Sequence, residues 1–80
     1  MATATNLTTV AHDVPITDES IRLGQFLKLS SLIDSGSDAK AAIAEGMVSV
    51  NGERELRRGR QLRPGDTVSI GTESARVARG

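Results

Sequence analysis

Four arginines stand within the seven residues RRGRQLR at 57–63, in a chain whose ten basic and ten acidic residues cancel overall. A guanidinium presents a planar fork of N–H donors that matches two phosphate oxygens, so arginine at this density suits the binding of a polyanion. With Arg54 the group comprises Arg54, Arg57, Arg58, Arg60 and Arg63. On an extended strand Arg54, Arg58 and Arg60 share one side and Arg57 and Arg63 the other, unless Gly59 introduces a bulge. Arg57, Arg58 and Arg60, nearest that glycine, are the favoured contacts. The competing reading is an exposed edge strand whose charges discourage pairing with another chain.

A second anion-binding arrangement lies in SGSD at 35–38. Ser35 can cap a helix there, with Asp38 three residues on at the capping-box position. The first N–H groups of such a helix, at Gly36, Ser37 and Asp38, have no partner within it, and the dipole end they form favours a phosphate oxygen. Gly36 permits close approach. Lys28, near the end of a preceding helix, and Lys40, in the first turns of this one, could flank the same anion. The plainer alternative is an ordinary cap with two solvated lysines.

Charge is unevenly spread along the chain. Residues 1–53 hold three bases against seven acids, a net of −4, and residues 54–80 hold seven arginines against three acids, a net of +4. Such asymmetry points to an anion-facing surface that the total conceals. The chain has one Phe and no Tyr or Trp, whereas readers of single strands stack bases on aromatic rings. Phe26 belongs to an apolar stripe and reads as core. Recognition should rest on phosphate positions and the shape of a folded or duplex nucleic acid, with Ser37, Asn51 and Gln61 as candidates for the 2′-hydroxyl contact that telling RNA from DNA would need.

Other chemistry finds little support. Without Cys there is no disulfide, thiolate nucleophile or Cys-based zinc site, and Ser35 and Ser37 have no histidine partner, because the single His12 falls in the expected N-terminal tail. Asp18-Glu19 reads as an acidic pair at a helix start rather than a metal site. Neither an enzyme nor a cofactor or metal is expected. MATATNLTTVAHDVPIT lacks the basic and apolar regions of a secretory leader, and no apolar run approaches the ~20 residues that span a bilayer. The reading is one small cytoplasmic domain, of a size that buries only about 60% of its unfolded surface.

The elements that must position these residues follow from local pattern. Residues 1–17 read as a flexible N-terminal tail, with VPI at 14–16 able to add a short edge strand. From Ile21 the spacing turns helical: Leu23, Phe26 and Leu27 form a stripe with Arg22, Gln25 and Lys28 beside it, and Gly24 weakens the helix. Ser30–Asp34 connect to the second helix, whose stripe is Ala39, Ala42 and Ile43 and whose stop is Gly46. Val48 and Val50 alternate into Asn51-Gly52, which suits a tight hairpin, and a second strand should begin near Glu53. Arg63-Pro64-Gly65-Asp66 reads as a type II turn. TVSI at 67–70 and ARV at 75–77, separated by a turn at Gly71-Thr72, complete the strands. The expected fold class is α+β, two short packed helices followed by a small antiparallel sheet, with residues 18–80 as the folded domain.

The stretch Arg22–Ile70 resembles the RNA-binding domain first described in the fourth protein of the small ribosomal subunit, the S-four domain. RLGQFLKL, SGSDAKAAIAEGMVSVNG and LRPGDTV carry that likeness. More narrowly, LKL, SG, AK, the EGxVxVNG frame and RR at 57–58 are similar to the small stand-alone bacterial YbcJ-like family. The resemblance implies a helix pair plus hairpin, the alpha-L motif, that docks on structured RNA, and it adds weight to Lys28 and Lys40. Many members of the wider family have an arginine after the capping serine, where this chain has Gly36. The residue pattern and the resemblance together give as the candidate RNA-binding site Lys28, Gly36, Ser37, Lys40, Arg54, Arg57, Arg58 and Arg60. The implied partners are structured RNA, ribosomal or transfer RNA among them, and a ribosomal or RNA-processing protein. The rival reading is a protein-interaction module or ubiquitin-like carrier: LRPGDTV fits a carrier's LxxGDxV strand entry, but the chain ends Ala78-Arg79-Gly80 instead of Gly-Gly.

Overall fold

Two short apolar stripes decide where the helices lie. Leu23, Phe26 and Leu27 are fully buried on α1 (Leu23–Leu29), and Ala39, Ala42 and Ile43 are buried on α2 (Gly36–Ala44). Each set has the i, i+3, i+4 spacing of one helical face. The computed structural model describes residues 12–80, and both stripes meet in its single buried cluster. Ser35 starts α2, its hydroxyl oxygen accepting the Asp38 N–H at 3.2 Å. Gly46 ends it with φ of 78°, a left-handed backbone that costs glycine no Cβ clash.

Helix α1 begins two residues after Ile21, where the helical pattern started. Ile21–Arg22 form a short strand, β2, because they pair with Gln61–Leu62, which become β5 further along. The Leu23 and Gly24 N–H groups then donate to the Arg60 and Arg58 carbonyls at 2.8 and 3.1 Å. The start of α1 is thereby satisfied by a distant loop. Asp18 and Glu19, expected at a helix start, lie instead in the bend ahead of β2, and the first turn of α1 has no acidic residue.

The main sheet is built from β1 (His12–Ile16), β3 (Val48–Val50), β4 (Glu53–Arg54), β6 (Thr67–Ile70) and β7 (Glu73–Arg79), in the order β1-β7-β6-β3-β4. Asn51 and Gly52, with φ of 53° and 87°, turn β3 into β4, as an Asn-Gly pair in a type I′ turn should. Gly65 has φ of 104°, and the Asp66 N–H closes its turn on the Arg63 carbonyl at 2.9 Å. Strands β3, β4, β6 and β7 pair antiparallel, while β1 joins the edge in parallel, Val14 opposite Val77. The α+β architecture of a helix pair and a mostly antiparallel sheet is therefore present. Of the stretch 1–17, residues 12–16 form β1 and residues 1–11 lie outside the described residues. Val14, Ile16, Val48, Val50, Leu62, Val68, Ala75 and Val77 close the core against the helical stripes. Among the described residues no helix is long and apolar enough to cross a membrane.

Candidate nucleic-acid interface

The alternation expected along 54–63 does not form. Strand β4 ends at Arg54 and β5 starts at Gln61, so residues 55–60 make a loop that turns at Arg58-Gly59. The Arg60 N–H closes that turn on the Arg57 carbonyl at 3.2 Å. Glu55, only 6% exposed, sits inside it. Its Oε2 accepts from the Arg57 backbone N–H and Nε, both at 3.0 Å, and its Oε1 from Arg57 Nη2 at 3.3 Å and Arg60 Nη1 at 2.9 Å. Hydrogen bonds from Arg57 first, and then Arg60, lower the Glu55 pKa to about 2. The same contact holds Arg57 above its ordinary value.

Arg57 and Arg60, expected on opposite sides of a strand, thus converge on one carboxylate. The Arg57 side chain is 76% exposed and keeps an outer edge in solvent, whereas Arg60 is 31% exposed. Arg58 goes elsewhere. Its aliphatic stem crosses Gly24 so closely that a Cβ at that position would lie 2.7 Å from Arg58 Cγ. Gly24 weakens a helix, but here the missing side chain is what lets the arginine pass.

Beyond Gly24, an open concavity of about 380 Å³ is lined by Arg22, Gln25, Lys28, Gly36 and Arg58, among others. The ion pairs among the described residues are Arg57–Glu55, Arg60–Glu55 and Arg76–Asp13. Arg22, Lys28 and Arg58 therefore face this concavity with no carboxylate in ion-pair contact. Lys28 Nζ lies 4.0 Å from where a Cβ on Gly36 would stand, beside the start of α2. The recess thus brings together three side-chain cations and the start of α2, whose first turn also carries Asp38.

The other expected residues are placed differently. Ser37 and Lys40 are exposed on α2 but outside this lining, Lys40 one turn on from Gly36. Arg54 sits at the far end of α2, where a Cβ on Gly46 would lie 3.1 and 3.2 Å from its Cδ and Nε. By helical rise that end is about 14 Å from Gly36, so Arg54 does not join the recess. There its charge meets the carbonyl end of the helix. Arg63 supplies its backbone N–H to Asp66 Oδ2 at 2.9 Å. Asn51, considered for a ribose contact, is committed to Asp66 and to the Thr67 N–H, and Gln61 accepts from Ser20.

Gly24, Arg22, Gln25 and Glu55 were not among the expected site residues. Arg22, Gln25 and Lys28 recur every third position beside the apolar stripe, a polar row that could have been extended from Lys28 alone. Nothing local marks Glu55 apart from its place among arginines. Among the described residues no group of three His, Asp or Glu side chains is placed to hold a metal ion.

The sequence pattern of the S4 domain matches residues 14–78. A probable ribosome maturation protein, RlbA, of Bacillus subtilis (strain 168) is 49% identical over 61 residues, covering 76% of this chain and 86% of the relative. A putative RNA-binding protein, YbcJ, of Escherichia coli (strain K12) is 42% identical over 57 residues, covering 71% and 81%. The solution structure of YbcJ from E. coli, described as revealing an alpha-L motif involved in RNA binding, superposes with a TM-score of 0.63 at 34% identity, over 88% of this chain and 87% of that one. The 30S ribosomal protein S4e of Thermoplasma acidophilum gives a TM-score of 0.58 at 28% identity, over 75% of this chain and 32% of that protein.

Proposed function

The chain belongs to the S4 domain family, and we propose that it is a non-catalytic module that holds structured RNA in the recess between α1, the start of α2 and the 55–60 loop. One observation carries this reading: Arg22, Lys28 and Arg58 line the same recess with no ion-pair partner among the described residues, next to Gly36 at a helix start. Three exposed cations lining one recess are free to meet the oxygens of a polyanion. Arg22, Lys28, Arg58 and the Gly36 N–H take phosphate oxygens directly. Arg57, Ser37 and Lys40 extend the contact at the rim. Arg60 acts through the loop, and Arg54 stands outside.

The absence of Tyr and Trp favours an RNA read by the spacing of its phosphates over one read base by base. The names of the relatives support the same class of ligand. YbcJ is called an RNA-binding protein and RlbA a ribosome maturation protein, so ribosomal RNA or its precursor, in the cytoplasm and among ribosomal proteins, is the proposed target.

Fluorescence anisotropy with a labelled ribosomal RNA hairpin tests this. Four phosphate contacts give a slope of about −3 in log affinity against log salt, roughly a 50-fold loss between about 50 and 200 mM. No binding at low salt, or binding indifferent to salt, would exclude the reading and leave a protein-docking module.

A further inference from the structure

We infer that Glu55 is a positioning residue for RNA, an acid inside the basic surface that strengthens binding by fixing the loop that carries Arg58. The inference rests on the reading of the recess as an RNA site. Simple electrostatics gives the opposite expectation, because a carboxylate among arginines repels phosphate. The connectivity around Glu55 decides between them. Its own N–H donates to the Val48 carbonyl at 3.0 Å, anchoring it to β3. Its carboxylate takes the Arg57 backbone N–H and both guanidiniums, which closes the turn. The Arg58 and Arg60 carbonyls from that turn accept the first N–H groups of α1, and the Arg58 stem lies across Gly24.

Carboxylate, turn and helix start therefore form one connected unit, with Arg58 as the part that reaches the recess. Without the carboxylate, Arg57 and Arg60 lose their shared counter-ion and repel each other, and no other ion pair among the described residues holds those two guanidiniums. RNA would then have to order two or three long side chains that the free protein now holds in place.

Two variants of equal charge separate the accounts. Glu55→Gln and Glu53→Gln each remove one negative charge, and Glu53 is exposed on β4. Glu53→Gln should bind an RNA hairpin as tightly as the parent, or a few-fold tighter. Glu55→Gln should bind roughly 10-fold more weakly and with a flatter salt slope, despite the same gain in charge. Hydrogen exchange supplies a readout that a general loss of stability does not mimic: the Gly24 amide should exchange faster while Val68 and Val77, in the sheet away from Glu55, keep their protection. Equal affinity of the two Gln variants, or an unchanged Gly24 amide, would overturn the inference. If Glu55→Gln does not fold, Glu55→Asp keeps the charge and shortens the reach by one methylene; weaker binding supports the positioning role and parental affinity refutes it. A parent protein that binds no RNA would sink the proposed function, and an unaltered Gly24 amide would sink the role of Glu55, so the two failures are distinct.

Discussion

Replacing Arg58 by Gln removes one guanidinium from the recess and little else. Glutamine keeps the Cγ and Cδ that lie across Gly24, and the Arg58 carbonyl that accepts the Gly24 N–H is backbone. Arg58 has no ion-pair partner among the described residues, so its loss leaves no buried charge behind. Stability should change by no more than about 0.5 kcal/mol. The RNA effect should be larger. A charge-assisted hydrogen bond is worth about 1.5–3 kcal/mol, which corresponds to a loss of roughly 10-fold or more at low salt. One phosphate contact fewer also flattens the salt slope by about 0.7, so the deficit should shrink about 2- to 3-fold between roughly 50 and 200 mM. Anisotropy titrations at four salt concentrations, beside thermal melts, measure both quantities. Arg76→Gln, whose partner is Asp13, is the control that should leave RNA affinity nearly unchanged. If Arg58→Gln kept the parental slope while Arg76→Gln lost it, assigning phosphate contact to the unpaired cations of the recess would be wrong.

Gly24→Ala should not raise the melting temperature, because the gain of about 1 kcal/mol in helix propensity is offset by a Cβ that displaces the Arg58 stem, and RNA affinity should fall several-fold. A higher melting temperature with unchanged affinity would show that the close approach is not needed. Acid should destabilise the fold through Glu55: its pKa of about 2 lies below the ordinary 4.5, so its contribution is complete above about pH 5 and is lost as pH falls toward 2. The unscreened shift corresponds to roughly 3 kcal/mol, and because Arg57 stands largely in solvent about 1–2 kcal/mol is expected in melts compared between pH 6 and 2.5. Glu55→Gln should lack that part of the pH dependence. Arg54→Ala should leave the salt slope as it is and lower stability by about 0.5 kcal/mol, the interaction of a cation with a helix end; a flattened slope would return Arg54 to the site.

What was legible in the chain is what four or five neighbouring residues decide. The two apolar stripes, Ser35 as cap, Gly46 as stop, Asn51-Gly52 and Gly65 each settle their backbone locally, and the structure has them where the pattern puts them. The 55–60 loop was not legible because its conformation depends on partners far off in sequence: Gly24 and Leu23 for its carbonyls, Val48 for the Glu55 N–H. An alternation of side chains is a sound expectation for a strand, but two short β4 and β5 strands leave six residues free to turn. For the same reason β2 looked like the first turn of a helix, since Leu62, forty-one residues on, makes Ile21 a strand. Within the proposed site, Lys28, Gly36 and Arg58 were named from the sequence and its family frame, whereas the diversion of Arg57 and Arg60 to Glu55 needed the tertiary fold.

The most direct test is a backbone and arginine-side-chain NMR titration of the labelled protein with a ribosomal RNA hairpin. The account predicts that the largest shift changes fall on Arg22, Gln25, Lys28, Gly36 and the Arg58 Nε–H, with Asp13 and Arg76 on the β1–β7 edge left unmoved. Changes confined to that edge, or to Arg54 and the far end of α2, would contradict it.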